Sequence, residues 1–173
     1  MSGFQSHRHL STWGWIWSPF LVCVVASLLV AIPLKVFGFL QLPEPVFALV
    51  PAFAWAVIRP SVFPPFLLLA LGLFLDLARG GQFGLWPTGL LLGYAFVLAT
   101  RPLMIGQSRP MMWAWFAVTC VVVIGAAYLL TMLDALVTPN PLATLWQLLA
   151  TVILYPFAHR LIARYEDSDV RFR

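Results

Sequence analysis

The chain has 173 residues, of which 62% are hydrophobic and 9% charged, with a formal net charge of +4 and two cysteines. An ordinary soluble domain carries about 25% charged residues, so this composition excludes a conventional water-exposed surface. The ten basic residues are scattered singly between apolar runs, which excludes the clustered basic patch with interleaved aromatics of a nucleic-acid binder.

The tail before residue 13 holds His7 and His9. Their i, i+2 spacing suits an extended strand rather than a helix, and no carboxylate lies nearby, so no metal or cofactor is expected there. Residues 13–34 then form an apolar run that is hydrophobic all round and therefore predicts a spanning helix. It is too long and too aromatic for a cleavable signal, and it has no small-x-small cleavage site. Residues 43–58 predict a second helix, of about 16 residues rising about 24 Å, with Pro51 in its middle; a kinked or re-entrant path is open there, and charge placement keeps the segment as a span. Further spans are predicted at 62–78, 83–100, 112–137 and 142–163. The connections are short and rich in proline, "QLPEP", "RPSVFPP", "RPLMIGQSRP" and "TPNP", and proline is best tolerated at or before a helix's first turn. No polar linker or repeat divides the chain. The expected fold is an all-α integral membrane protein, a single six-helix transmembrane domain over residues 1–173.

Charge placement orients the bundle, because short cytoplasmic loops are enriched in Lys and Arg. With both termini inside, Arg8, Arg59, Arg101, Arg109, Arg160, Arg164, Arg171 and Arg173 are cytoplasmic, and only Lys35 and Arg79 lie outside. Trp13, Trp15, Trp17, Trp55, Trp113 and Trp115 then fall near the inner boundary and Trp86 near the outer one, where amphipathic rings favour the interface. Cys23 and Cys120 lie within apolar runs, without Cys-x-x-Cys spacing or activating neighbours, and read as packing residues.

Catalysis needs titratable groups that converge, and the sequence offers no Gly-rich phosphate loop, no paired histidines on one helix face and no nucleophile beside a base. No enzyme is expected. What remains is a group of charges on the predicted outer side: Lys35, Glu44, Asp76, Arg79 and Asp134. Asp76 and Arg79 are spaced i, i+3 and can pair along one helix. The alternative is that Asp76 contacts another helix or a partner, since intramembrane carboxylates usually face a bundle interior or a functional surface. Gly72, Asp76 and Gly80 recur every fourth residue and share a face, leaving a smooth stripe that another helix can approach closely. Gly89 and Gly93 form a second small-x-x-x-small pair. Arg101, Arg109, Arg160 and Arg164 could meet anionic headgroups or filament subunits at the inner surface.

The segment "RPSVFPP" followed by "LGLFLDLARGGQFGLW" resembles the central signature of the bacterial rod shape-determining MreD family: a proline-to-tryptophan segment, Arg-Pro, then G-L-x-x-D-x-x-x-G-x-x-x-G. Here Pro45 and Trp55, Arg59 and Pro60, and Gly72, Asp76, Gly80 and Gly84 meet that pattern. The match covers about a quarter of the chain. Family members often carry Asp or Asn directly after the proline that opens helix two, whereas here Val46 follows Pro45 and the acid, Glu44, precedes it. The resemblance implies a non-enzymatic inner-membrane scaffold of the cell-wall elongation complex. Its implied partners are MreC, a single-span protein, the MreB filament, and the RodA glycosyltransferase with its transpeptidase. It also implies a fold similar to the six-helix substrate-binding subunits of energy-coupling-factor transporters. A second reading follows from that likeness, a transporter subunit in which Glu44, Asp76 and Asp134 line a small-molecule pocket open to the outside. An intramembrane enzyme acting on a lipid-linked wall precursor has no supporting residue pair. Under the leading reading, the outer face and the stripe at Gly72, Asp76, Arg79, Gly80 and Gly84 bind a partner's transmembrane helix.

Overall fold

The computed structural model describes residues 14–31, 45–58, 61–80, 82–104, 106–135 and 139–169. Lys35, Glu44, Arg59, Pro60, His7 and His9 lie outside the described residues, as do the side chains of Arg79 and Arg164. The described residues are helical and turn structure without strands: α1 Gly14–Ala31, α2 Leu49–Ile58, α3 Phe63–Arg79, α4 Leu85–Met104, α5 Arg109–Ala135, α6 Pro141–Val152 and α7 Tyr155–Asp169. Two stretches, Arg109–Asp134 and Pro141–Arg160, are long and apolar enough to cross a membrane.

Proline and small polar residues set several of these boundaries. α3 opens with proline in its first turn, where a missing N–H is one of the orphans anyway. α6 opens on Asn140, whose Oδ1 accepts from the Leu142 N–H at 3.0 Å, followed by Pro141. Hydroxyls inside the apolar helices bond their own backbone: Thr119 Oγ1 donates to the Trp115 carbonyl at 2.9 Å and Thr131 Oγ1 to Ala127 at 2.8 Å.

The sixth predicted span is present as one apolar stretch, Pro141–Arg160, but a turn interrupts its helix: α6 ends at Val152 and α7 starts at Tyr155. Pro156 has no N–H and its ring crowds the carbonyl four residues back, that of Val152, so the α-helical ladder cannot run through. The Trp113 indole on α5 supplies the missing donor, its Nε1–H reaching the Val152 oxygen at 3.4 Å. In the second predicted segment Pro51 is not mid-helix: α2 begins only at Leu49, so Pro51 sits in its first turn, where proline is tolerated. With ten residues, α2 is about 15 Å long, half the thickness of a hydrocarbon core.

α2 is the hub. Every residue from Leu49 to Ala56 is buried, and the helix packs against α3, α4, α5 and α7. α1 lies against α3, and α6 lies against α5. The chain entering α2 is tied at both sides: the Val46 N–H donates to Thr151 Oγ1 at 3.1 Å, and Cys23 Sγ approaches the Phe47 carbonyl at 3.5 Å. The start of this half-length helix therefore sits beside the middle of α1 and beside the α6/α7 break. At its other end, Arg101 on α4 donates Nε to the Val57 carbonyl at 3.1 Å and Nη2 to that of Ile58 at 3.4 Å. These two bonds serve carbonyls that the helix end leaves without intrahelical partners.

Because α2 is enclosed on all sides, Trp55 is a core residue rather than an interfacial anchor, and Trp86 is also buried. Trp17 and Trp113 remain exposed. Phe53 of α2 meets Phe116 of α5 edge to face, centroids 5.2 Å apart. Outside, the helices present Leu69, Leu73 and Leu77 on α3, Val118, Val121 and Leu129 on α5, and Leu142, Leu145 and Leu149 on α6. Much of the described exterior is apolar.

Candidate functional site at the α3–α4 corner

α3 ends one residue before Gly80, and α4 begins at Leu85. Gly80 takes a left-handed conformation, φ 61°, and its N–H donates to the Asp76 carbonyl, closing the last turn of α3. Gly84 also has a positive φ, 94°, a region that L side chains rarely occupy. These two glycines turn the chain through a short loop so that α4 returns alongside α3.

Asp76 lies in the last turn of α3 and is only 2% exposed. Its carboxylate reaches across the corner: Oδ2 accepts from the Gly84 N–H at 2.6 Å and Oδ1 from the Trp86 N–H at 3.1 Å. The first turn of a helix leaves N–H groups without intrahelical partners, and here all of them have a destination. Gly84 and Trp86 bond Asp76, Leu85 bonds the Gln82 carbonyl at 3.3 Å, and Pro87 has no N–H. The negative carboxylate also faces the positive end of the α4 dipole. A single residue thus closes α3 through its carbonyl and opens α4 through its side chain.

Gly72 lies one turn before Asp76 on the same face. A Cβ there would meet the Pro87 backbone, falling 2.5 Å from its Cα and closer still to its nitrogen. No side chain fits. The helix that approaches the stripe is therefore α4 of the same chain, brought in at Pro87 by Gly72 and fixed at Gly84 and Trp86 by Asp76. This narrows the expectation that the stripe receives a partner's helix: at Gly72 and Asp76 the space is already filled. Gly93 performs the same service between α4 and α5, where a Cβ would meet Val123 Cγ2 at 2.6 Å.

The other sites foreseen from sequence are distributed around this corner. Asp134, near the end of α5, is exposed and accepts from Gln82 Nε2 at 2.6 Å, joining the loop to the α5 terminus. Asp76 and Asp134 each engage a different part of segment 82–86. Pro45 is the first described residue of the stretch leading into α2, its carbonyl accepting from the Phe47 N–H at 3.2 Å, and Trp55 is enclosed in the hub. The sequence analysis did not single out Gln82, Thr151 or the role of Arg101. Pro156 was the available signal for the α6/α7 break, and Thr151 the one hydroxyl close before it; nothing local marked Gln82.

Chemically, the corner is a clamp. Both carboxylate oxygens of Asp76 accept backbone N–H groups, so the residue holds two helix ends in register. No protein-family model, curated protein or solved structure matches the chain.

Proposed function

We propose that this chain is a non-enzymatic, multi-pass scaffold of the bacterial inner membrane, of the MreD type, which serves the cell-wall elongation machinery by binding an MreC-type single-span protein. The observation that carries the reading is the corner itself. Gly72, Asp76, Gly80 and Gly84, on which the resemblance rests, each have a separate task in one local structure: close approach, clamp, helix stop and helix entry. A motif whose members act as one unit is a stronger basis for resemblance than a chance set of glycines in apolar helices. The membrane setting is supported by the exposed leucines and valines of α3, α5 and α6, since soluble monomers rarely expose large contiguous apolar patches. MreB-type filaments, RodA and its transpeptidase follow from the same reading as direct or indirect partners.

Since α4 covers Gly72 and Asp76, the clamp acts by presenting its loop. Phe83 is 76% exposed at the tip, beside the Gln82–Asp134 bond. A partner helix or its juxtamembrane segment would meet this rim. The test is copurification in detergent of the tagged chain with an MreC-type partner, together with rod shape in cells. Asp76→Leu with Gly80→Leu is expected to abolish both, and Phe83→Ser, which leaves the corner whole, to weaken partner retention alone. Full binding and normal shape in both variants would overturn the site assignment. Release of the chain from membranes by alkaline carbonate would overturn the membrane reading.

A further inference from the structure

The opposite end of the bundle has a different chemistry. α5 has 27 residues and is about 40 Å long, with Arg109 at one end and Asp134 at the other. The acids whose side chains are described, Asp76 and Asp134, both belong to the α3–α4 corner and its rim. At the Arg109 end the described charged side chains are Arg101, Arg109 and Arg160, and Arg101 is committed to the α2 carbonyls.

Tyr155, the first residue of α7, organises this end. Its hydroxyl donates to the Arg109 carbonyl at 3.3 Å. Trp113 stacks on one side of the Tyr155 ring, centroids 6.3 Å apart, and His159 lies parallel to it at 6.1 Å. Trp113 is 50% exposed although its indole N–H is engaged at Val152. One turn along α7, Arg160 sits over the Phe157 ring at 5.9 Å, and Phe157 is 57% exposed. Arg109 and Trp113, one turn apart on α5, therefore meet Tyr155 and His159, one turn apart on α7, with no described acid beside them, while Phe157 and Arg160 lie on the outward face of α7.

We propose that this junction binds an anionic phospholipid, its phosphodiester received by Arg109 with His159 on the facing turn of α7, and its glycerol and upper acyl chain lying on Trp113. The proposal rests on the membrane reading given above. Charge complementarity selects the occupant: guanidinium forks match phosphate oxygens, while the rings fit the boundary between headgroup and hydrocarbon. A zwitterionic lipid offers the same acyl chains without the net charge.

The test uses the full-length chain in phosphatidylcholine nanodiscs containing a minor fraction of either phosphatidylglycerol or phosphatidylcholine brominated at acyl carbons 6 and 7. Subtracting the Trp113→Phe signal isolates quenching at Trp113. The expected result is stronger quenching by the brominated phosphatidylglycerol, with about five-fold local enrichment for each engaged guanidinium. Arg109→Gln is expected to remove most of the preference, while Arg109→Lys retains some. Equal quenching by the two brominated lipids would overturn the headgroup site and leave the membrane reading standing. Loss of the preference on adding soluble glycerol phosphate would also overturn it, in favour of a free-phosphate site. Absence of quenching by brominated phosphatidylcholine at exposed tryptophans would instead defeat the membrane reading.

Discussion

Replacing Asp76 by asparagine changes the side chain by one atom and retains its shape, yet the amide has one acceptor oxygen where the carboxylate has two. If the oxygen stays with the Gly84 N–H, the amide NH2 is left facing the Trp86 N–H, donor against donor, at a position that is 2% exposed. A hydrogen bond to a charged acceptor contributes about 1.5 to 3 kcal/mol, and a buried unsatisfied group costs about 1 to 3 kcal/mol. Asp76→Asn should therefore destabilise the protein by about 2 to 3 kcal/mol, and Asp76→Leu, which orphans both N–H groups, by about 3 to 5 kcal/mol. The loss is local before it is global. Opening of the first turn of α4 should become easier by about 30-fold for each 2 kcal/mol, and amide exchange at Gly84 and Trp86 should accelerate accordingly. Unfolding in mixed detergent micelles gives the global value, and peptide-resolved hydrogen exchange gives the local one. An Asp76→Asn protein within about 0.5 kcal/mol of the parent, with unchanged exchange across residues 82–90, would refute the clamp.

Gly72→Ala places a methyl group against the Pro87 backbone rather than against a side chain that can rotate away; overpacking of about 1 to 3 kcal/mol is expected, read as a lower unfolding midpoint. Gly93→Ala meets Val123 Cγ2 instead, so its penalty should be relieved by Val123→Ala in a double-mutant cycle, and strict additivity would contradict the packing described. Arg101→Gln removes the guanidinium from the Val57 and Ile58 carbonyls and should cost about 1 to 2 kcal/mol, with exchange rising at the end of α2 and not at its start. Trp113→Phe keeps the ring but leaves the Val152 carbonyl without its indole donor; a loss of about 1 kcal/mol with faster exchange around the α6/α7 turn is the expected outcome.

Hydropathy and proline placement alone were enough to anticipate most of the helices. α1, α3, α4 and α5 fall within a few residues of their predicted ranges, because a long apolar run between prolines has few alternatives. The glycine at position 72 and the carboxylate at 76 could also be read as features of one helix face, since helical spacing is fixed by the backbone. Which helix would meet that face could not be read. The donors for Asp76 lie eight and ten positions later in the chain, beyond a turn whose path depends on positive φ at Gly80 and Gly84, and no periodicity within α3 encodes them. The same limit applied to α2 and Trp55. A helix that is apolar on every side gives no sign of which face is inside or whether it lies at the centre, and only packing made α2 the hub and moved Trp55 into the core. Pro156 was the local signal of a break in the last span, which was nonetheless read as one helix, and the tolerance of that break depends on Trp113, 43 residues earlier, donating to the freed carbonyl from a neighbouring helix. Local chemistry determined where helices form and stop; the tertiary structure decided which backbone groups their polar side chains serve.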